Sequence, residues 1–179
     1  MTMGALLQKV RDHLRQTLPL QSDDCAVRPD GAPPPSAGEV FVAVSESGVA
    51  SDARSHLREV FHIEVSIWRR TGQYPVDRQG ELLLPDDVLL AGMLSLDRLE
   101  RRVVTALHGN YQDLPAALNS ELRTGSDAAG DVFQLALYYV GRGASELWPP
   151  HGKGAHPNWL GRRLRFEGAH RVQDLDIAE

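Results

Sequence analysis

Cysteine and lysine are nearly absent from this chain of 179 residues. A single cysteine, Cys25, excludes an intrachain disulfide and a CxxC metal motif, because both need a second thiol. We therefore predict a buried or half-buried structural role for Cys25. Lys9 and Lys153 are the only lysines among 19 basic residues. Arginine thus carries nearly all the positive charge, and its planar guanidinium forms geometrically fixed pairs with carboxylates.

Long apolar runs are missing too. No run approaches the roughly 18–20 residues needed to cross a bilayer, and the N-terminus has no apolar region typical of a signal peptide. The sequence therefore argues against membrane insertion and against secretion.

The motifs of common enzyme classes are also absent. The glycines form neither a Walker A motif nor a dinucleotide-binding fingerprint. His62, Glu64 and Ser66 share one face of a predicted strand and point the same way, so they do not form a convergent nucleophile and base. His151 and His156 lie in a Gly/Pro loop without the helical HExxH context or a third ligand. We predict no enzyme, no cofactor and no metal site, and keep a small metal-dependent hydrolase using these two histidines open as an alternative.

The composition that is present is that of an ordinary globular protein. The length suits one domain, and 42% of the residues are hydrophobic and 24% charged. The net charge of −5 is unevenly spread along the chain. Residues 141–171 carry six basic side chains (Lys or Arg) and two acidic ones, whereas residues 111–140 carry one basic and four acidic side chains. The last eight residues add Asp174, Asp176 and Glu179. This distribution favours contact between oppositely charged protein surfaces over tight nucleic-acid binding, which needs a dominant basic face.

Hydrophobic periodicity predicts two main helices. The first covers residues 3–18, where Leu6, Val10, Leu14 and Leu18 recur every fourth residue. The second covers residues 86–108, and its apolar positions are expected to face the core: Leu89, Met93, Leu96, Leu99, Val103 and Leu107. Its outer face is expected to carry Asp97, Arg98, Glu100, Arg101 and Arg102. A shorter helix is predicted over residues 114–122.

Alternating patterns predict strands at residues 23–28, 39–46, 57–69, 132–140 and 162–175. In the third of these, Phe61, Ile63, Val65 and Ile67 line an apolar face, and the other face carries Arg58, His62, Glu64, Ser66 and Trp68. We expect that second face to meet water or another subunit, with Glu64 paired to Arg163 or Arg165 across strands. Loops are predicted at residues 30–38, 69–80 and 141–161, where glycine and proline concentrate.

Taken together, the elements predict an α+β fold with a mainly antiparallel sheet packed against the N-terminal helix and the long central helix. Their order resembles the tail terminator (tail completion) proteins of long-tailed bacteriophages. The resemblance rests on helix 3–18, the Pro-rich loop leading into residues 39–46, the strand within residues 56–70, the helix beginning near Asp86 and the closing stretch 164–176. It leaves residues 110–160 as an irregular insertion or extended loop region within a single domain.

The resemblance implies a structural virion protein of the tail and neck that forms a hexameric ring, ends polymerisation of the tail tube and joins the tail to the head. Its implied partners are copies of itself, the tail tube protein and the head–tail connector protein, with DNA passing through the ring and no membrane contact. Asp113, Glu121 and Asp127 would then face the lumen. The expected interface residues are Trp68, Arg69, Arg70, Tyr74, Trp148, Trp159, Arg163 and Arg165. Another neck or head-completion subunit of the same virion stays open as an alternative.

Overall fold

The computed structural model describes residues 3–18, 20–51, 58–71, 86–108, 135–149 and 157–171. In chain order they form helix α1 (Met3–Thr17), a short 3-10 turn (Ser22–Asp24), strands β1 (Cys25–Val27), β2 (Val40–Ser51) and β3 (Arg58–Arg70), helix α2 (Asp86–Leu107), and strands β4 (Leu135–Trp148) and β5 (Trp159–Arg171). The predicted α+β class, with an N-terminal and a central helix, is confirmed.

The strands form one sheet with the order β1-β2-β3-β5-β4. Only β1 and β2 run parallel, and the other neighbours are antiparallel. Strands β3 and β5 pair without interruption, from Arg58 opposite Arg171 to Arg70 opposite Trp159. Because this long pair is central, it sets which residues of the sheet share a face.

Both helices pack on the same face of the sheet and close the main core. The predicted stripe of α1 is confirmed, since Leu6, Val10, Leu14 and Leu18 are all buried there. Ile63, Val65 and Ile67 of the predicted apolar face of β3 are likewise buried in this core. The two helices are also linked directly, because His13 Nε2 lies 3.0 Å from the carbonyl oxygen of Ala106.

The first turns of α2 differ from the predicted core stripe. Leu96, Leu99 and Val103 are buried as expected, but Met93 is 37% exposed. The reason is the rotation of the helix: Gly92 faces the sheet, and a Cβ built on it would lie 3.1 Å from Leu160 Cδ2. Position 93 therefore turns away from the sheet by the roughly 100° that separates neighbouring helical residues.

Part of the predicted loop over residues 141–161 is wrong. Residues 141–148 continue β4, and β5 already begins at Trp159. Gly141 and Gly143, two of the glycines that indicated a loop, lie where the pairing of β4 with β5 shifts register, between Tyr139 and Gly141 and between Arg142 and Ser145. Such bulges are common in edge strands, where an extra residue leaves the ladder and pairing resumes. Residues 135–148 of the expected insertion are therefore a regular edge strand of the sheet.

Other predicted features lie outside the described residues. These are the helix at 114–122, most of the loop at 69–80, and the ends of the strands predicted at 57–69, 132–140 and 162–175. Strand β3 itself extends through Arg69 and Arg70, so the predicted loop starts after them.

Burial makes Cys25 an unreactive thiol, in agreement with its predicted structural role. The side chain is fully buried, and this burial raises its pKa to about 12. Only the thiolate attacks thiol reagents. We predict that a disulfide reagent at pH 8 does not label Cys25 in the folded protein within an hour and labels it fully in 6 M guanidinium, as followed by mass spectrometry. Rapid labelling of the folded chain would contradict this burial.

Candidate interaction site

One end of the second sheet face is covered by the protein's own Pro-rich segment, residues 29–38. Trp68 is only 1% exposed beneath it, and its indole Nε1 donates a 2.6 Å hydrogen bond to the carbonyl oxygen of Gly31. Gly31 adopts φ +64°, and a Cβ there would lie 2.6 Å from Ser66 Oγ, so this close approach requires glycine. The expectation that this face meets water or another subunit is therefore wrong at Trp68.

A second glycine makes room for Trp68 on the neighbouring strand. Gly161 lies directly opposite Trp68 in the β3–β5 ladder, and a Cβ on Gly161 would overlap the six-membered ring of the indole. Trp148 contacts the same indole edge to face, with ring centroids 6.3 Å apart. Trp159, Phe41 and the alanines beside them complete a small second core.

Arg70 fastens the Pro-rich segment to the end of β3. Its Nη2 donates to the carbonyl oxygen of Ala37 at 2.7 Å, and its Nε donates to that of Gly38 at 3.2 Å. The guanidinium also lies over the Trp159 ring, 4.7 Å from its centroid, a geometry in which the positive charge is attracted to the π face. Arg70 thus already has a role within the chain, although it was expected at an interface.

A cleft of about 490 Å³ remains between the Pro-rich segment and the strand ends. We call it the tryptophan cleft; it is lined by Trp148, Trp159, Asn158, Arg28, Asp30, Arg70 and the prolines 33–35 and 149, together with Ala32. Of the two tryptophans in the lining, Trp148 is half-buried and Trp159 is buried.

The charges at the tryptophan cleft do not cancel. Arg28 donates to both carboxylate oxygens of Asp30, at 3.0 and 2.9 Å, and this hydrogen-bonded pair lowers the pKa of Asp30 and raises that of Arg28. Arg70 pairs with no carboxylate among the described residues. The lining therefore holds two guanidiniums and one carboxylate, a surplus of one positive charge.

Beyond the Pro-rich segment the same sheet face is polar, and we call this region the charged strip: His62, Glu64, Glu146, Arg163, Arg165 and Glu167. Arg163 on β5 forms ion pairs with both neighbouring strands. Its Nε lies 2.8 Å from Glu146 on β4, and its Nη1 lies 3.2 Å from Glu64 on β3. The predicted pairing of Glu64 with Arg163 or Arg165 is thus confirmed for Arg163. Arg165 is exposed and has no ion pair among the described residues.

On the opposite face an ionic cluster joins α2 to the sheet: Asp97, Glu100, Tyr139, Arg142 and Arg162. Of these, Glu100 and Arg162 are buried. Arg162 is 4% exposed, and its Nη1 lies 2.6 Å from a carboxylate oxygen of both Asp97 and Glu100. Arg142 Nη1 contacts the same two carboxylates at 3.3 and 2.9 Å. The expectation that Asp97 and Glu100 lie on the outer face of the helix is therefore wrong, because both point to the arginines of the sheet.

The protonation of this cluster follows from its hydrogen bonds. The bond from Arg162 holds the pKa of Asp97 below its ordinary value. Burial raises the pKa of Glu100, but the hydrogen bonds from Arg142, Arg162 and Tyr139 outweigh it and leave the pKa below its ordinary value. Burial, together with the bond to Glu100, raises the pKa of the Tyr139 hydroxyl to about 12. Both carboxylates are therefore ionised in the folded protein at neutral pH.

The remaining expected site residues divide into three groups. Trp68 and Trp159 are buried in the second core, so their side chains do not themselves present a surface. Trp148 and Arg69 are half-buried, and Arg70 and Arg165 are exposed. Tyr74, His151, His156 and the three acidic residues expected at a lumen lie outside the described residues.

Sequence reasoning missed the cleft residue Arg28 and the cluster residue Arg162. Arg162 shares the parity of Leu164 and Phe166 on β5, a sign that this arginine faces the core. Within the described ranges no group of three potential metal ligands occurs, and neither described helix is long and apolar enough to span a membrane.

Comparison with protein-family models and with curated proteins gives no match for this chain.

The contact between Gly161 and Trp68 predicts a specific sensitivity. Gly161→Ala should lower the free energy of unfolding by about 1–3 kcal/mol, because the added methyl group overlaps a rigid ring. Gly143→Ala is the matched control, since its Cβ would meet nothing closer than 3.8 Å, and it should change stability by less than about 0.5 kcal/mol. Urea unfolding followed by tryptophan fluorescence measures both. Equal effects of the two substitutions would contradict the packing described.

The ionic cluster predicts a pH dependence of stability. The pKa values of Asp97 and Glu100 are lower in the folded state than the ordinary carboxyl pKa. Their contribution to the free energy of unfolding is therefore complete above the ordinary pKa and is lost as the pH falls through the lowered values. Glu100→Gln should cost about 1–3 kcal/mol at pH 7, the worth of hydrogen bonds to a charged group. It should also flatten the fall in stability between pH 5 and pH 3.

The matched control for the cluster is Glu39→Gln, at an exposed position of the connection into β2. Its urea unfolding profile from pH 7 to pH 3 should follow that of the unmodified protein. The cluster would be shown to be unimportant if Glu100→Gln and Glu39→Gln gave the same profile.

Proposed function

We propose that this protein is a tail terminator subunit of a long-tailed bacteriophage: a ring-forming structural protein that caps the tail tube and joins it to the head connector. The observation that carries the proposal is the order of elements. An N-terminal amphipathic helix, a Pro-rich connection, the long β2–β3 pair, the central helix α2 and the closing strand β5 follow one another as the resemblance implies.

The distribution of exposed side chains supports a subunit that contacts neighbours on more than one side. Leu90 and Leu94 on α2 are 58% and 53% exposed, and Val140 on the edge strand β4 is 61% exposed. The charged strip lies on the sheet face opposite the helices. A ring built head to tail needs two different surfaces on each subunit, one for each neighbour. The described part of the chain offers these apolar and charged surfaces on separate elements.

The buried polar groups support a structural role in a second way. The cluster around Arg162 is satisfied by its own carboxylates and lies between α2 and the sheet. The thiol of Cys25 is buried and protonated. These groups stabilise the fold and leave function to the surfaces.

The test is assembly with tail tubes. We expect light scattering to give a ring-sized species, or a monomer that assembles when purified tail tubes are added, with negative-stain microscopy showing density at tube ends. A monomer that leaves tube ends bare would contradict the proposal. Binding to head connectors without binding to tubes would favour the alternative of another neck or head-completion subunit.

A charge reversal on the charged strip sharpens this test. Arg165→Glu should weaken ring formation or tube binding at least tenfold, because Arg165 is exposed and carries no ion pair among the described residues. Arg102→Glu is the control, with the same change of charge at an exposed position of α2. It should assemble as the unmodified chain does. Equal assembly by both variants would remove the charged strip from the interface.

A further inference from the structure

We propose that the tryptophan cleft binds the acidic segment 173–179 of a second copy of this chain. The inference deepens the proposed function and rests on it in one respect, that the second copy is the neighbour in the ring. It is argued from the chemistry of the cleft, from the sequence of the segment and from the distance that the chain can span.

The tryptophan cleft has the properties of a binding site for a short peptide. Its volume of about 490 Å³ lies within the range of roughly 300–1,000 Å³ that is typical of ligand sites. Trp148 is half-buried, so its ring offers contact area at a small entropic cost. Asn158 adds an amide side chain, which can pair with a peptide group and has no hydrogen-bond partner among the described residues.

The charge of the cleft selects an acidic occupant. The charges of Arg28 and Asp30 balance each other. Arg70 uses Nε and Nη2 on the carbonyl oxygens of the Pro-rich segment, while its Nη1 makes no hydrogen bond among the described residues. The cleft thus presents one unneutralised guanidinium beside aromatic rings, and a carboxylate is the group that such a donor binds most strongly.

Residues 173–179 have the complementary pattern. Asp174 and Asp176 alternate with the aliphatic Leu175 and Ile177 in this stretch, and Glu179 adds a third carboxylate after Ala178. In an extended conformation successive side chains point to opposite sides, so the aspartates would face one way and the aliphatic groups the other. Such a segment can place carboxylates against Arg70 and apolar groups against Trp148 and the prolines of the lining.

The segment cannot bring Asp174 or Asp176 to Arg70 of its own subunit, because Arg70 lies opposite Trp159 in the β3–β5 ladder. Trp159 lines the cleft at the first residue of β5, and Arg171 is the last residue of that 13-residue strand. The strand therefore separates them by about 40 Å, at roughly 3.3 Å per residue. Residue 179 lies eight residues after Arg171, and eight residues span at most about 29 Å. The aspartates that meet Arg70 must therefore come from a second copy. When each subunit binds the segment of the next, the contact is heterologous, the type that generates rings.

A peptide-binding measurement tests the cleft. The probe is a fluorescein-labelled peptide of residues 172–179 with an amidated end, and the protein is the full chain carrying Asp174→Lys and Asp176→Lys, so that its own segment does not compete. We expect saturable binding by fluorescence anisotropy, weakened at least tenfold by adding Asn158→Asp, which places a negative charge in the cleft with almost no change of shape. Arg70→Gln should weaken binding similarly, with circular dichroism checking its fold.

The peptide control replaces Asp174 and Asp176 by Asn and Glu179 by Gln. Loss of binding with this neutral peptide supports the inference. No binding of the acidic peptide, or equal binding to the protein with and without Asn158→Asp, overturns it. Binding of the acidic and neutral peptides alike also overturns it, because the guanidinium would then have no role.

Assembly provides a second, independent readout. The full chain with Asp174→Lys and Asp176→Lys should need an at least tenfold higher protein concentration to form rings. Ring formation at the same concentration as the unmodified chain would overturn the inference. The outcome is distinguishable from that of the proposed function. If rings form on tail tubes but the peptide does not bind, the proposed function stands and the cleft contact is contradicted. If the peptide binds but the protein does not bind tubes, the cleft contact stands and the proposed function is contradicted.

Discussion

The buried pairing of Arg162 with Asp97 and Glu100 is the interaction on which the arrangement of the helices over the sheet depends. An arginine that is 4% exposed would cost several kcal/mol if left unpaired. Two carboxylates three residues apart on α2 share one face of the helix and meet it. The rotation of α2 is thereby set: with these acids toward β5, Leu96 and Val103 fall in the core and Leu90 and Leu94 face outward.

The opposite face of the sheet is organised by Trp68. The Pro-rich segment shields the indole ring from solvent, and Gly161 leaves room for the ring on the neighbouring strand. Arg70 holds the Pro-rich segment in place by a hydrogen bond to Ala37. Because the cover extends over only one end, the face is divided into the tryptophan cleft and the charged strip. One end is aromatic with a surplus of positive charge, and the other is a network of paired carboxylates and arginines. In our proposal both regions are surfaces for contact with other subunits.

Sequence periodicity was sufficient for the elements whose environment is uniform along their length. In helix α1, and in strand β3 from Ile63 to Ile67, one face is buried, and there the apolar residues recur at every fourth position in α1 and every second position in β3. The pairing of Glu64 with Arg163 was also predictable, because neighbouring antiparallel strands bring opposite charges within reach of each other. Periodicity failed where burial changes along an element, as at Met93, or where glycines occur inside a bulged edge strand, as in β4.

The sequence by itself determined the α+β class, the apolar faces of α1 and β3 and the absence of an intrachain disulfide, since these follow from local spacing and composition. Only the tertiary structure decided that Asp97 and Glu100 turn inward, that Trp68 is covered by residues 29–38, and that Trp148, Trp159 and Arg70 converge on one cleft. The physical reason is the same in each case. The partner of each of these side chains lies tens of residues away, and only the closed sheet brings the pair within bonding distance.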